Sequence, residues 1–268
     1  MSALLLIGEK LNSTRPSVKR IFEERDEGDL LSIAREQIEG GASCIDLNAS
    51  MLMEREEDAL RWGAAAVHAQ LRVSVMLDSP NTSLLVRLLP EFGTAAILNS
   101  LLCDEEILAE ALPAVSSAGA GVVIMLEDRR GIPPTIDGKL LLAERAVAAA
   151  AKAGIAAERL FIDPVFAPLA TSACGMLLTL ETIRTLAARF PACHRIGGLS
   201  NISYGLPERT LVNRTFAAMA IASGITVLIC DTSDHELAKT LAASEALAGS
   251  DANCRRFLAD FRGHRRAT

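Results

Sequence analysis

Residues 117–128 read "SAGAGVVIMLED" and contain one complete transition from a helix to a strand. A stretch of helical periodicity ends at their start, and Gly119 is the residue type that commonly caps a helix C-terminus. An apolar run then covers residues 121–126, and the acidic Glu127 follows it directly. The pattern indicates a buried strand that follows a helix and ends in a carboxylate.

The same unit recurs along the whole chain. Apolar runs that predict strands cover residues 4–7, 44–47, 73–77, 95–98, 121–126, 160–162, 193–196 and 227–230. Helical patterns cover residues 30–39, 54–70, 83–89, 105–117, 140–153, 176–189, 209–223 and 235–247. Eight such pairs predict an α/β protein of one domain, residues 1–268, folded as a (β/α)8 TIM barrel. A last helix near residues 250–261 and the basic tail, about 250–268, are predicted to be an appendage.

A doubly wound open sheet is the rival fold. It would need a nucleotide-binding fingerprint at the point where the strand order reverses. Neither GxGxxG nor GxxxxGK[ST] follows any of the predicted strands. The barrel is therefore the favoured prediction.

Composition and charge exclude several classes of function and location. The net charge of −6 argues against a nucleic-acid partner, and the basic segment "FRGHRR" is interpreted as a solvated chain end. No apolar stretch has the length of a membrane span, and no signal peptide is recognised. The six cysteines form no CxxC pair and the four histidines are far apart, so we expect reduced thiols, no protein-bound metal and a cytoplasmic location.

Polar residues stand where the predicted strands end. In a barrel of this type the ligand site is built at the carboxyl ends of the strands. Any one of these side chains could simply be a turn or helix-cap residue, but all eight strands share the pattern. The residues are Glu9, Asp46 with Asn48, Asp78, Asn99, Glu127, Asp163, Ser200 with Asn201, and Asp231.

The predicted mouth is rich in acceptors. Lys10 is the one lysine expected near it, so a phosphate or polyanion is disfavoured there. Ring N–H and amino groups need acceptors, and a buried carboxylate that faces them is satisfied. The ring of residues predicts a neutral heterocycle with several donors. The loop after the seventh strand differs from the others, because Gly197 and Gly198 allow close approach and its side chains are amides and hydroxyls.

Five motifs resemble those of the pterin-binding methyltransferases. They are "IGEKLN", "LDSPN", "ILNS", "IDP" and "GLSNISYGLPERTLVNRTFAAMA", at the first, third, fourth, sixth and seventh strands. The resemblance runs in order through nearly the whole chain, and it is most specific at the seventh strand. It is to methyltetrahydrofolate:corrinoid methyltransferases and to the folate domain of cobalamin-dependent methionine synthase. Dihydropteroate synthases share the barrel and several of these positions.

The resemblance implies a pterin pocket at the barrel mouth. Asp78, Asn99 and Asp163 match the family residues that hydrogen-bond the pterin ring. Glu9 and Asn12 match residues near the same pocket. The implied substrate is tetrahydrofolate or methyltetrahydrofolate.

The strand-seven motif supplies the implied catalytic residue. Asn201 matches the asparagine beside N5, the nitrogen that carries the methyl group. Arg209 matches a residue associated with folate, and Ser200 is expected to bind substrate beside Asn201. A methyl group on a neutral tertiary amine is a poor electrophile, so its transfer to cobalt requires positive charge on N5. An amide can accept a hydrogen bond from protonated N5 without adding a formal charge, and no covalent protein intermediate is implied.

The resemblance also implies partners. The DxHxxG signature of a corrinoid-binding domain is absent from the sequence, so the corrinoid, a cobalamin-type cofactor, is expected on a separate protein that docks over the mouth. Relatives are typically homodimers. The expected enzyme is a methyltetrahydrofolate:corrinoid protein methyltransferase, working in either direction.

Two alternatives remain open. A dihydropteroate synthase-like enzyme is disfavoured, because the strand-seven motif has no lysine where that family binds its pyrophosphate and carboxylate-bearing substrates. A non-catalytic folate-binding barrel is the hypothesis from another class. Methyl exchange between methylcobalamin and tetrahydrofolate separates these alternatives from the transferase.

Overall fold

The computed structural model describes residues 4–171 and 175–259. Eight parallel strands close into one barrel in sequence order, which confirms the predicted fold. The strands are β1 Leu5–Asn12, β2 Cys44–Asn48, β3 Ser74–Asp78, β4 Ala96–Leu102, β5 Gly121–Met125, β6 Leu160–Asp163, β7 His194–Gly198 and β8 Val227–Cys230.

Helices surround the barrel. They are α1 Pro16–Glu24, α2 Glu27–Glu39, α3 Glu56–Leu71, α4 Thr82–Phe92, α5 Glu105–Ala118, α6 Ile136–Lys152, α7 Gly175–Arg189, α8 Leu199–Ile202, α9 Arg209–Ser223 and α10 His235–Leu247. Each predicted helix has a counterpart here. Glycines in the left-handed conformation end α5 at Gly119 and α9 at Gly224, as the sequence predicts. No helix within the described residues is long and apolar enough to cross a membrane.

Strands β1 and β4 run furthest past their predicted ends, and β2, β3, β6 and β7 end one or two residues later than predicted. β1 continues to Asn12 and β4 to Leu102, so Glu9 and Asn99 lie inside strands rather than after them. Both strands have an irregular register, between Gly8 and Leu11 in β1 and between Leu98 and Leu101 in β4. The prediction ended each strand at its first polar residue, but backbone pairing continues past side chains that face the barrel mouth.

Helices α1 and α8 are additions that the periodicity did not reveal. Helix α1 begins with Pro16 and buries Val18, Ile21 and Phe22 beneath the mouth loops. Near the C-terminus, Ala252–Cys254 is a 3-10 helix and residues 255–259 are helical. The predicted appendage near residues 250–261 is thus described only in part, and the basic segment "FRGHRR" and Cys174 lie outside the described residues.

An apolar layer fills the barrel interior. It consists of Ile7, Cys44, Met76, Val123, Phe161, Ile196 and Val227, with Ile97 and Ile229 packed against it. Successive strand residues face opposite sides of a sheet, so the residues two positions further along each strand also face inward. This layer is therefore the floor beneath the polar side chains of the mouth.

Candidate active site

Inward-facing polar side chains lie directly above the apolar floor. For the residues within strands, the inward direction follows from the period of two, counted from the floor residue of each strand. Neighbouring strands hold them side by side, because Asn48 pairs with Asp78 and Asp78 pairs with Asn99 in the sheet register. The set is Glu9, Asp46, Asn48, Asp78, Asn99, Glu127, Asp163 and Asp231. Glu127 and Asp231 come just after β5 and β8, and their charges act on Asp163 and Glu9 of the same set. Ser200, after β7, joins the set through its hydrogen bond to Glu9, so the structure brings together predicted ring residues from all eight strands.

Two amides, from β2 and β4, each donate to one of the acidic side chains of β2 and β3. The amide nitrogen of Asn48 donates to the Asp78 carboxylate at 2.9 Å. The amide nitrogen of Asn99 donates to Asp46 at 3.3 Å. The Asn48 oxygen in turn accepts hydrogen bonds from the hydroxyl and backbone amide of Ser50 at 2.7 and 3.0 Å. The network fixes the orientation of Asp78, and its carboxylate retains acceptor capacity for a ligand.

Within the described residues, the carboxyls of Asp46 and Asp78 have no cationic partner. Burial raises the pKa of Asp78 to about 6, although the hydrogen bond from Asn48 acts in the opposite direction. Burial and the nearby charge of Asp78 raise the pKa of Asp46 well above its ordinary value. Donors from a bound heterocycle would replace the lost hydration of these groups. The cluster is arranged for a ligand that presents N–H groups rather than an anion.

The end of β6 is held by a lysine that the sequence analysis did not place at the mouth. Lys139 of α6 is buried, and its ammonium donates to the carbonyl of Pro164 at 2.6 Å. The expectation that Lys10 is the only lysine near the mouth is therefore wrong. No local signal marks Lys139, because its partner Pro164 lies 25 residues further along the chain, in the turn after β6.

Asp163 forms a tight turn beside this lysine. Its carboxylate accepts a 2.7 Å hydrogen bond from the backbone amide of Val165, which has a positive φ of 62°. That conformation is strained for a β-branched residue, and strain of this kind concentrates at functional sites. Burial raises the pKa of Asp163 to about 6, and Glu127 acts in the same direction, whereas the Val165 amide and, after it, Lys139 lower this pKa.

A hydrogen bond connects Glu9 of β1 with Ser200 of α8, the short helix after β7. The Ser200 hydroxyl donates a short hydrogen bond to the Glu9 carboxylate. Burial raises the pKa of Glu9, whereas Ser200 and Arg15 lower it. The Ser200 side chain, predicted to bind substrate, is thus already engaged by Glu9.

Arg209 contacts the loop on both sides of Asn201. Its Nε donates to the Ser203 hydroxyl at 3.1 Å, and its Nη2 donates to the Ser200 carbonyl at 2.9 Å. These bonds connect the first residue of α9 to the short helix α8. Asn213 lies one helical turn after Arg209, and its side-chain oxygen is buried without a hydrogen-bond partner among the described residues.

Asn201 is exposed on α8 and makes no side-chain hydrogen bond within the described part of the chain. Its amide packs against Gly198, where an added Cβ would lie 3.1 Å from the amide nitrogen. The side chain is therefore available to a ligand above the mouth. Tyr204, three residues after Asn201 and beyond the end of α8, is 69% exposed at the rim.

Two predicted positions have local partners. The Asn12 oxygen accepts hydrogen bonds from the hydroxyl and backbone amide of Thr14 at 2.7 and 3.0 Å. Within the described residues, no hydrogen bond engages the amide nitrogen of Asn12, so this nitrogen is available to a ligand. Lys10 contacts Ser233 at 2.5 Å and lies 3.6 Å from Asp231, so its charge is directed to the rim.

A cavity adjoins the acidic cluster. It measures about 410 Å³ and is lined by polar Asp78, Ser79 and Ser100 and by apolar Leu102 and Met125, among others. A second depression of about 400 Å³ lies between α5 and the loop after β5, where Arg129, Arg130 and Arg145 are paired with acidic side chains. The first cavity has the size and the mixed polarity of a small-molecule site.

Comparison with known proteins identifies relatives of this chain. The sequence model of the pterin-binding enzyme family matches residues 8–231. The methylcorrinoid:tetrahydrofolate methyltransferase of Eubacterium limosum is 31% identical over 261 residues, which are 97% of this chain and 96% of that protein. The methionine synthase of Mycobacterium leprae (strain TN) is 28% identical over 227 residues, 80% of this chain but only 19% of that protein.

Solved structures share the fold at low identity. The dihydropteroate synthase of Yersinia pestis has a TM-score of 0.65 and 19% identity over 92% of this chain and 93% of that chain. The dihydropteroate synthase of Coxiella burnetii in complex with pteroic acid has a TM-score of 0.67 and 18% identity over 92% and 95% of the two chains. These likenesses establish the barrel architecture alone.

Proposed function

Since the chain belongs to the family of pterin-binding enzymes, we propose that it is a methyltransferase that moves a methyl group between a methylcorrinoid and tetrahydrofolate. The relative from Eubacterium limosum carries that activity in its name and aligns with this chain over nearly its full length. Its name describes transfer toward tetrahydrofolate. We take this as the physiological direction here, and the same site catalyses the reverse reaction.

The observation that carries the proposal is the contrast between the mouth and the β7 loop. Six carboxyls and two amides face the mouth from β1 to β6 and β8, whereas the loop after β7 offers the exposed amide of Asn201. The first set suits the N–H and amino groups of a pterin ring. The second suits a nitrogen that changes its charge during the reaction.

The pterin is held by Asp78, Asn99 and Asp163. The two carboxylates accept hydrogen bonds from ring donors, and the Asn99 side chain can offer either an acceptor or a donor. Glu9, Asn12 and Ser200 complete this pocket, with Ser200 bonded to Glu9 and Asn12 beside Asn48 in the sheet register. Ordered donors and acceptors that need no rearrangement are the main source of binding selectivity at such a site.

Asn201 acts at N5 of the folate. In the direction of tetrahydrofolate methylation, the N5 electron pair forms the new C–N bond, and the cobalt keeps the electron pair of the broken Co–C bond. N5 then carries its original proton and a positive charge until that proton leaves to solvent. The Asn201 oxygen accepts the hydrogen bond from this N–H, which stabilises the charge as it develops.

The corrinoid is a substrate held by a separate protein that docks over the open carboxyl end of the barrel. The exposed position of Asn201 and Tyr204 at the rim suits a reaction partner that approaches from outside. A homodimer in the cytoplasm is the expected form of the enzyme. Among the described residues, no group of three or more His, Cys, Asp or Glu side chains is arranged to hold a metal ion.

Methyl exchange tests this function. The protein is mixed anaerobically with methylcobalamin and tetrahydrofolate, the cobalt spectrum is followed, and 5-methyltetrahydrofolate is measured by mass spectrometry. We expect stoichiometric demethylation of the corrinoid and formation of methylated folate. A protein that binds tetrahydrofolate without any exchange would be a folate-binding barrel, and formation of dihydropteroate from a pterin pyrophosphate and p-aminobenzoate would favour the synthase.

A further inference from the structure

Lys139 is buried although lysine side chains are seldom removed from water. It is 2% exposed and lies in the first turns of α6, where an apolar residue would face the barrel. Removing an ammonium group from water is costly unless it is paired and hydrogen-bonded. A retained buried lysine therefore points to a specific partner.

The partner is the turn that follows β6. The Lys139 ammonium donates to the Pro164 carbonyl at 2.6 Å, and the carboxylate of Asp163 holds the next amide, that of Val165, at 2.7 Å. The Asp163–Val165 turn is thus fixed at two points, one from its own side chain and one from α6. This double attachment offsets the positive φ of Val165.

The charges around Asp163 come from three elements. Lys139 of α6 is the cation that faces it, Glu127 after β5 is the anion, and the Val165 amide is the neutral donor. The attraction is mutual, because Asp163 raises the pKa of Lys139 while burial lowers it. Without Lys139, the described surroundings of Asp163 would keep the Val165 amide as a donor but would hold no cation against the charge of Glu127.

We propose that Lys139 is a positioning residue of the pterin site, whose buried ammonium fixes the turn after β6 and keeps Asp163 as a carboxylate that can accept two ring donors. This inference rests on the proposed function for its ligand. It assigns a part of α6, outside the strand ends, to the recognition of the heterocycle. A protonated Asp163 would present a hydroxyl donor to a ring that needs acceptors, and binding would weaken.

Titration of the ligand-free protein tests the inference without any substrate. The ¹³C resonance of the Asp163 carboxyl, assigned by its loss in Asp163→Asn, is followed from pH 4 to pH 9 in the wild type, Lys139→Gln and Lys139→Met. We expect both substitutions to raise the titration midpoint of Asp163 by about 1 to 3 pH units. Lys152→Met, on the exposed last turn of the same helix, should leave it unchanged.

Folate affinity provides the second measurement. Tetrahydrofolate binding to Lys139→Gln, measured by calorimetry, should be about tenfold weaker at pH 7 than in the wild type, and the difference should shrink at pH 9. Lys139→Gln keeps an N–H donor for Pro164, so it separates the charge from the hydrogen bond even if Lys139→Met does not fold. An unchanged Asp163 midpoint in Lys139→Gln would overturn the inference. Absence of folate binding by the wild type would instead refute the proposed function, while the titration still decides the role of Lys139.

Discussion

The side-chain amide of Asn48 donates a 2.9 Å hydrogen bond to the carboxylate of Asp78, its partner in the β2–β3 register. The side-chain amide of Asn99 on β4 donates a second such bond, to the carboxylate of Asp46 on β2. Each acidic side chain of this cluster is therefore oriented by an amide and not by a cation. An amide orients a carboxylate without neutralising it, so the cluster retains its need for ligand donors.

This arrangement predicts a pH-dependent cost to stability at Asp78. Its pKa in the folded state, about 6, exceeds the ordinary 3.8. The folded protein therefore binds the extra proton between these values, and stability falls as the pH rises from about 4 to 6. We expect Asp78→Asn, which removes the buried charge but keeps an acceptor for Asn48, to raise the free energy of unfolding at pH 8 by up to about 3 kcal/mol.

Urea unfolding at pH 4 and pH 8 measures this effect. The gain should vanish at pH 4, where the wild-type carboxyl is already protonated. Glu110→Gln serves as the control, because Glu110 is exposed on α5 and its side chain makes no hydrogen bond or ion pair within the described residues. It should change stability little at either pH. Asp78→Asn should also bind tetrahydrofolate at least tenfold more weakly. Destabilisation at pH 8 would contradict the view that Asp78 is uncompensated in the free protein.

Asn201→Ala should slow methyl transfer while leaving the fold intact. The side chain is exposed and makes no hydrogen bond within the described residues, so the melting temperature should be unchanged. Loss of one partner to a charge that develops in the transition state typically costs about 100- to 1,000-fold in rate. Single-turnover transfer from methylcobalamin to tetrahydrofolate measures this step, and folate binding should weaken less than the rate. A rate within threefold of the wild type would refute the assignment at N5.

The effect of Arg209→Lys shows whether Arg209 positions the loop after β7 or binds the folate. Its guanidinium forks between the Ser203 hydroxyl and the Ser200 carbonyl, and lysine cannot reproduce that geometry. We expect Arg209→Lys to lower kcat by about tenfold, because α8 and Asn201 are held less firmly.

A substrate without the glutamate tail separates the two roles. If Arg209 positions α8, the loss of kcat should be the same with methyltetrahydropterin and with methyltetrahydrofolate. If Arg209 binds the folate carboxylates, KM should rise for methyltetrahydrofolate alone. The second outcome would support the folate-binding role that the sequence resemblance implies for Arg209.

The fold was predictable because its signals are local. Alternating apolar runs and helical stretches with glycine boundaries, such as Gly119 and Gly224, define each βα unit from a short window of sequence. The inward direction of Asp46 and Asn48 likewise follows from the period of two in a strand. These features need no knowledge of distant contacts.

The rest of the site depends on contacts between distant segments. Lys139 contacts Pro164 25 residues away, and Glu56 accepts a hydrogen bond from Ser79 23 residues away. Ser200 contacts Glu9, 191 residues away, only when the barrel is closed. Glu56 reads in the sequence as an ordinary first-turn acid of α3, yet it is buried and raises the pKa of Asp78. Side chains of this kind become visible only in three dimensions.

Gly197 carries the last prediction, because the ring of Phe166 lies directly over it. A Cβ at Gly197 would stand 2.4 to 2.6 Å from three atoms of this ring. Phe166 is buried and packs edge-on against Phe216, with ring centroids 5.0 Å apart, so it has little room to move. We expect Gly197→Ala to lower the free energy of unfolding by about 1 to 3 kcal/mol, as overpacking of a well-filled core does.

A double-mutant cycle identifies the cause of this loss. Phe166→Leu removes the ring edge, so Gly197→Ala should cost at least 1 kcal/mol less in that background than in the wild type, on the scale of direct contacts. Phe166 lies three residues after Asp163, directly beyond the Asp163–Val165 turn. Because a displaced Phe166 would move this turn, Gly197→Ala should also weaken tetrahydrofolate binding. Urea unfolding of the four proteins and calorimetry with tetrahydrofolate measure the two effects. Equal costs in both backgrounds would show that Gly197 is required for a reason other than the packing of Phe166.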